Sequence, residues 1–315
     1  MHILVVNDDG PPSRRLSPYI QPLVSTLEAA GHLVSVAIPA ASRSWIGKAH
    51  LIEASLKAIY VPPQAFYNDG TWNESYTPDD KTTANDTPNG TTHTNSQGDN
   101  EWVVITNGTP ASCVQLGLFN LFPDRPPVDL VISGPNHGRN ASTIYNLSSG
   151  TVGGALEAAT CGKRGIAISF GSKEEQPAAI IAAAARLAVR VVNHLLAHWD
   201  PRVELYNINV PMRDDVESRP ILWTRTLPYY WAKGYLYAEA DTPQHELNGA
   251  DASTTTLKQK DFKWGAQLLD MKKALQASEE GTDAHTVLNG CTSVTALRAN
   301  FWHVPGLEGA LELDA

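Results

Sequence analysis

Short, unbroken apolar runs rich in Val, Ile and Leu alternate along this chain with stretches of helical periodicity, and that alternation constrains its fold most tightly. An apolar run without polar alternation suits a strand covered on both faces, the signature of a parallel sheet. Residues 2–7 (HILVVN), 33–38 (LVSVAI), 102–106 (WVVIT), 128–133 (VDLVIS), 165–170 (GIAISF) and 203–210 (VELYNINV) read as such strands, with 203–210 as the last of the sheet. Residues 18–30, 110–122, 150–160 and 178–196 read as helices, the first stopped by Gly31. Strand, helix and strand within the first 40 residues make a crossover of right-handed sense. The pattern predicts an α/β, doubly wound, mainly parallel and Rossmann-like sheet, with ligands bound beyond the carboxyl ends of its strands.

Two regions break the alternation. Residues 68–100 are rich in Asn, Thr, Asp and Gly and carry too little apolar surface to offset the entropy of ordering, so they read as a flexible excursion. From Ile221 to Thr254 the chain turns aromatic and irregular (WTRTLPYYWAKGYLYAEA), which suggests β-hairpins or an arm. The expected organisation is a catalytic core over 1–215, carrying the insertion 68–100, and an arm with a helix over 216–315.

Chemistry enters at the strand ends. Asp8 and Asp9 follow the first strand directly and precede Gly10, so two carboxylates stand where α/β folds hold ligands. Adjacent anions repel, and a divalent cation with hard oxygen ligands is the simplest compensation; a turn with a helix cap is the plainer alternative. The second strand leads to Ser42, Arg43 and Ser44, and the fourth to Asn136 and Asn140 inside SGPNHGRN. Ser149, Gly150 and Thr151 open a helix, where backbone N–H groups gather anions. Tight helix packing is the competing reading of that glycine-rich start.

Taken together, residues 6–10 (VNDDG), Arg43 and Ser44, 106–113 (TNGTPASC), 133–140 (SGPNHGRN), 149–155 (SGTVGGA) and 207–211 (NINVP) resemble the SurE family of nucleotidases and acid phosphatases. The motifs stand in family order over roughly residues 1–211, with a weaker echo at 281–297, and residues 44–51 (SWIGKAHL), with Ser17-Pro18-Tyr19, are more similar to fungal than to bacterial members. The resemblance implies one divalent cation per subunit, Mn²⁺ or Mg²⁺ with Ca²⁺ as a crystal substitute, held by Asp8, Asp9, Ser44 and Asn136. It implies catalysis by Asp8 and Asp9, with Asn7, Gly10, Asn140, Ser149, Gly150 and Thr151 around the substrate phosphate. Hydrolysis of nucleoside monophosphates and other phosphomonoesters is the implied activity, and a homodimer or higher homo-oligomer, built through an exchanged arm, the implied assembly. Asp283 and His285, within the weaker echo, read as structural.

Charge narrows the partners. A net charge of −9 repels long nucleic acids, so a small phosphomonoester is the expected substrate. No run was expected to reach the roughly 18 apolar residues of a membrane span. Cys113, Cys161 and Cys291 lack metal or redox spacing and read as reduced thiols. Acceptor tripeptides at Asn73, Asn85, Asn89, Asn107, Asn140 and Asn146 would matter only to a secreted chain, and the start at Met1 is a strand, so the cytoplasm is the expected compartment unless a leader has been removed. A receiver-like signalling module also places acidic residues after its first strand, but the chain is far longer and carries Ser133-Gly134-Pro135-Asn136 where a phospho-accepting Asp would stand. A non-catalytic metal-binding or regulatory protein with the same fold is the remaining alternative.

Overall fold

The computed structural model describes residues 1–77, 101–230, 236–240, 260–265 and 269–301. Its centre is a nine-stranded sheet. The chain forms β1 (His2–Val6), α1 (Ile20–Ala29), β2 (Leu33–Pro39), β3 (Lys57–Val61), β4 (Trp102–Thr106), α2 (Pro110–Phe119), β5 (Leu130–His137), α3 (Thr143–Ser148), α4 (Gly150–Thr160), β6 (Arg164–Phe170), α5 (Ala178–Ala197) and β7 (Leu205–Val210). There follow β8 (Ile221–Thr224), β9 (Tyr237–Glu239), β10 (Phe262–Trp264), α6 (Leu269–Gln276), α7 (Asp283–Leu288) and β11 (Thr292–Leu297). The strand order is β3-β4-β2-β1-β5-β6-β7-β11-β8. From β4 to β7 every neighbour is parallel, while β3 lies antiparallel to β4 and β11 antiparallel to β7.

The unbroken apolar runs are explained by cover on both faces. In β1, Ile3 and Val5 face a cluster with Leu23 and Leu27 of α1 and Leu187 and Val191 of α5, whereas Leu4 and Val6 face Cys113 and Val114 of α2 and Ala158 of α4. A polar residue at any of these positions would lose a partner layer. β2 and β4 run out on one side of β1 and β5 lies on the other, so the switch point of the sheet falls between β1 and β5.

Three expectations need correction. Residues 203–210 do not end the sheet: β11 pairs with β7, Val294 opposite Ile208, and β8 pairs with β11, so two strands from beyond residue 216 extend the same sheet. Of the supposed excursion, residues 68–77 are built into the fold, since Asp69 bridges to Ser13 and Trp72 packs against Phe66; the remainder, 78–100, lies outside the described residues. The aromatic stretch does contain the antiparallel pair β9 and β10, although residues 231–235 also lie outside the description. Third, α5 is 20 residues long and apolar enough to cross a membrane by length and composition. Its apolar face, including Ala184, Leu187, Ala188 and Val192, is buried in the core it shares with α1 and the sheet.

A candidate metal and phosphate site at the switch point

The carboxyl ends of β1 and β5 meet at this switch point, and their residues assemble the site. Asp8 is 2% and Asp9 7% exposed. Thr151 Oγ1 donates to Asp8 Oδ1 at 2.6 Å, and the His137 backbone N–H donates to Asp9 Oδ2 at 2.7 Å. No Lys, Arg or His forms an ion pair with either carboxylate among the described residues. Burial raises the pKa of Asp8 against the opposing pull of the Thr151 hydrogen bond. Burial, followed by the neighbouring Asp8 charge, pushes Asp9 well above the usual carboxylate range. Lys173, in the loop after β6, pulls both carboxyls back down through its charge.

Local backbone design presents these groups. A register shift between Ser133 and Asn136 interrupts the pairing of β5 with β6, and such bulges re-aim side chains at sheet ends. Gly134 sits there at φ +125, and a Cβ on it would stand 2.2 Å from the Ile168 carbonyl oxygen, so only glycine fits. Asn136 Nδ2 donates to the Gly138 carbonyl at 2.5 Å, which leaves its oxygen free of that bond. The Ser44 loop is tied to the pair by the Arg43 N–H, which donates to the Asp8 carbonyl at 2.7 Å; Ser44 is exposed, its Oγ 3.1 Å from Ser42 Oγ.

α4 aims its first turn at Asp8. Ser149 caps it, its Oγ accepting from the Val152 N–H at 3.1 Å. A Cβ on Gly150 would fall 2.7 Å from Asp8 Cβ and 3.0 Å from Asp8 Oδ2, so the glycine lets the helix terminus reach the carboxylate. Gly150 and Thr151 thus stand against Asp8, with Ser149 capping the same turn.

The remaining named residues hold backbone around the pair. The Asn7 amide donates to the Gly10 carbonyl at 2.8 Å and to Ser17 Oγ at 3.1 Å, while its oxygen accepts from the Gly10 N–H at 3.1 Å. Both of its amide hydrogens are held in the turn that carries Asp8 and Asp9, and Gly10 is the other half of that turn. Asn140 is buried and gives its amide to Ser169 Oγ at 2.9 Å; its backbone is held by Asn207 and Asn209. Asp283 is structural, accepting from the backbone N–H groups of Ser142, Leu227 and Ala284.

Sequence reasoning missed the His137 backbone donor, Lys173 and Tyr19. The Tyr19 ring meets the His137 ring edge-on at 5.2 Å, and burial together with the Asp9 charge raises its pKa to about 12. Lys173 stood in a polar loop, but its place after the β6 strand end is a signal that could have found it.

The donor set can be tested for a cation. Two carboxylates, nine-tenths or more buried, face each other's charge without an ion pair among the described residues, and the Thr151 hydroxyl lies against them. Among the described residues no cluster of three or more His, Cys, Asp and Glu accompanies them. Such a set fits a hard divalent ion that keeps open positions, rather than zinc.

These features define a doubly wound α/β protein with an acidic site at its switch point and a helix N-terminus trained on that site. The profile of the family described as "Survival protein SurE" matches residues 3–233, and the chain belongs to the SurE family. A "Probable tubulin--tyrosine ligase PBY1" of Saccharomyces cerevisiae is 32% identical over 333 residues, spanning 99% of this chain; the chain spans 43% of that relative's length. A "5'-nucleotidase SurE" of Pelobacter propionicus is 32% identical over 225 residues, covering 71% of the chain and 72% of the relative. The crystal structure of a SurE protein from Aquifex aeolicus matches with a TM-score of 0.64 at 25% identity, covering 96% and 95% of the two chains.

Proposed function

We propose that this chain is a divalent-metal-dependent phosphomonoesterase acting on nucleoside monophosphates and related esters. The observation that carries the reading is the buried, unpaired carboxylate pair beside the first turn of α4. Relatives named 5'-nucleotidase support the reaction class.

Asp8, Asp9, Asn136 and Ser44 would hold the ion, Mn²⁺ or Mg²⁺, which supplies Lewis acidity toward a phosphoryl oxygen. The remaining work falls to the chain. The first-turn N–H groups of Gly150 and Thr151 and the Ser149 hydroxyl bind phosphoryl oxygens, and the helix dipole favours the anion there. Asn140 has a second amide hydrogen besides the one given to Ser169. Thr151 and His137 fix one oxygen of each carboxylate, so the other oxygens are oriented to align water and accept its proton during in-line attack. Lys173 adds positive charge where the phosphoryl group would enter.

Homo-oligomer contacts are assigned to the part of 216–315 that carries the outermost strand β8, where Trp223 is 64% exposed. Phosphate release from adenosine monophosphate and p-nitrophenyl phosphate, measured after chelation and again with Mn²⁺, tests the activity. Activity should return with the metal and fall by on the order of 10²-fold or more in Asp9→Asn. Equal rates in the two proteins would defeat the assignment.

A further inference from the structure

Beside the acidic site stands a group of aromatic rings that the phosphate chemistry does not use. Trp45 follows the candidate ligand Ser44, and its neighbour Ile46 reaches to 2.9 Å from the position a Cβ on Gly150 would take. The Gly47 N–H donates to the Ser148 carbonyl at 2.9 Å, fastening this loop to the entry of α4. The Trp45 ring lies 5.8 Å from Tyr145 of α3 and 5.2 Å from Trp264 of β10. Trp264 in turn meets Tyr237 of β9 edge-on at 5.6 Å. Three separate segments, the Ser44 loop, α3 and the arm, therefore place their rings together next to the phosphate-binding turn.

Packing alone does not account for this group. Tyr237 is 60% and Trp264 51% exposed, whereas rings gathered only to fix the arm would hide their faces from water. Trp45 also holds a left-handed backbone, φ 66, which a bulky residue adopts only when its surroundings impose it.

We propose that Trp45, with Tyr145, Trp264 and Tyr237, forms a stacking wall that takes the planar ring of the substrate's leaving group and so sets preference among phosphomonoesters. The inference rests on the phosphomonoesterase reading above and adds the specificity-determining residues. Ring-on-ring stacking tolerates any flat aromatic partner, because every base presents a π-face. Esters of nucleosides and phenols gain from the wall, and esters of glycerol do not. The binding is noncovalent and leaves the hydrolytic step unchanged.

The test compares kcat/KM for adenosine monophosphate, p-nitrophenyl phosphate and glycerol 2-phosphate in wild type, Trp45→Ala and Trp264→Ala, each with Mn²⁺. The ratio of either planar ester to glycerol 2-phosphate should fall about 10-fold or more in each variant, carried by KM. A loss on both planar esters supports the wall, and a loss confined to one of them would overturn its tolerance of any flat ring. Unchanged ratios, or equal losses on all three esters, would overturn the proposal; a fall in Trp45→Ala alone would overturn the arm's part in it. Should the wild type hydrolyse none of the esters, the phosphomonoesterase reading fails, and the wall is then judged separately by quenching of tryptophan fluorescence with adenosine. Quenching that Trp45→Ala abolishes supports the wall, and its absence in wild type ends it.

Discussion

Substituting Asp8 by Asn should make the metal-free protein more stable while destroying its catalytic capacity. Asn keeps an oxygen to accept from Thr151 Oγ1 and removes one of two buried like charges. Burial lifts the Asp8 carboxyl from 3.8 to about 6, so its ionised form costs the fold about 3 kcal/mol at pH 8. Because the folded-state pKa is the higher one, this penalty is fully present above about pH 6 and vanishes below about pH 4. Calorimetric melting after chelation should thus place Asp8→Asn about 5–10 °C above wild type at pH 8, with the two curves converging near pH 4. Saturating Mn²⁺ should reverse the order, because wild type gains binding free energy that the variant has lost. A metal-free Asp8→Asn protein that melts at or below wild type at pH 8 would refute the view that the pair is held at an electrostatic cost.

Three further outcomes follow from particular contacts. Gly150→Ala puts a methyl 2.7 Å from Asp8 Cβ and 2.9 Å from an Ile46 methyl; it should cost about 1–3 kcal/mol in denaturant melts and at least about 10-fold in kcat/KM. Lys173→Met should raise KM for a phosphomonoester about 3- to 10-fold and flatten its dependence on salt, as steady-state kinetics at two ionic strengths would show. Glu157 of α4 is buried, yet Lys48 at 2.6 Å, Gln115 and His50 outweigh desolvation and hold its pKa below 4.5. Stability from this group is present above that value and lost as the pH falls, so melting of wild type should drop more steeply below about pH 5 than that of Glu157→Gln.

The parallel core was legible because burial on both faces leaves a continuous apolar run, and β1, β2, β4, β5 and β6 each carry one. The acidic pair was legible because its place after β1 follows from the same logic. β11 was not, since Thr292 to Leu297 (TSVTAL) mixes polar and apolar residues without a clear period and finds its place only by pairing with Leu205 to Asn209, some ninety residues away. The turn-holding bonds of Asn7 were not legible, because a buried amide and a ligand-binding amide look alike until their partners are known. The His137 N–H has no signature at all, since every residue but proline offers a backbone donor. The apolar content of α5 was underestimated because Arg186 and Arg190 interrupt it, although Arg186 turns outward to Glu217.

The central claim is that the Asp8 and Asp9 carboxylates share a divalent cation with the oxygens of Asn136 and Ser44. A crystal of the protein grown with Mn²⁺ and measured for anomalous scattering at the manganese edge examines it directly. One strong peak per chain is expected at about 2.1–2.3 Å from an oxygen of each carboxylate. No peak there at saturating Mn²⁺, or a peak bound only by residues elsewhere, would contradict it.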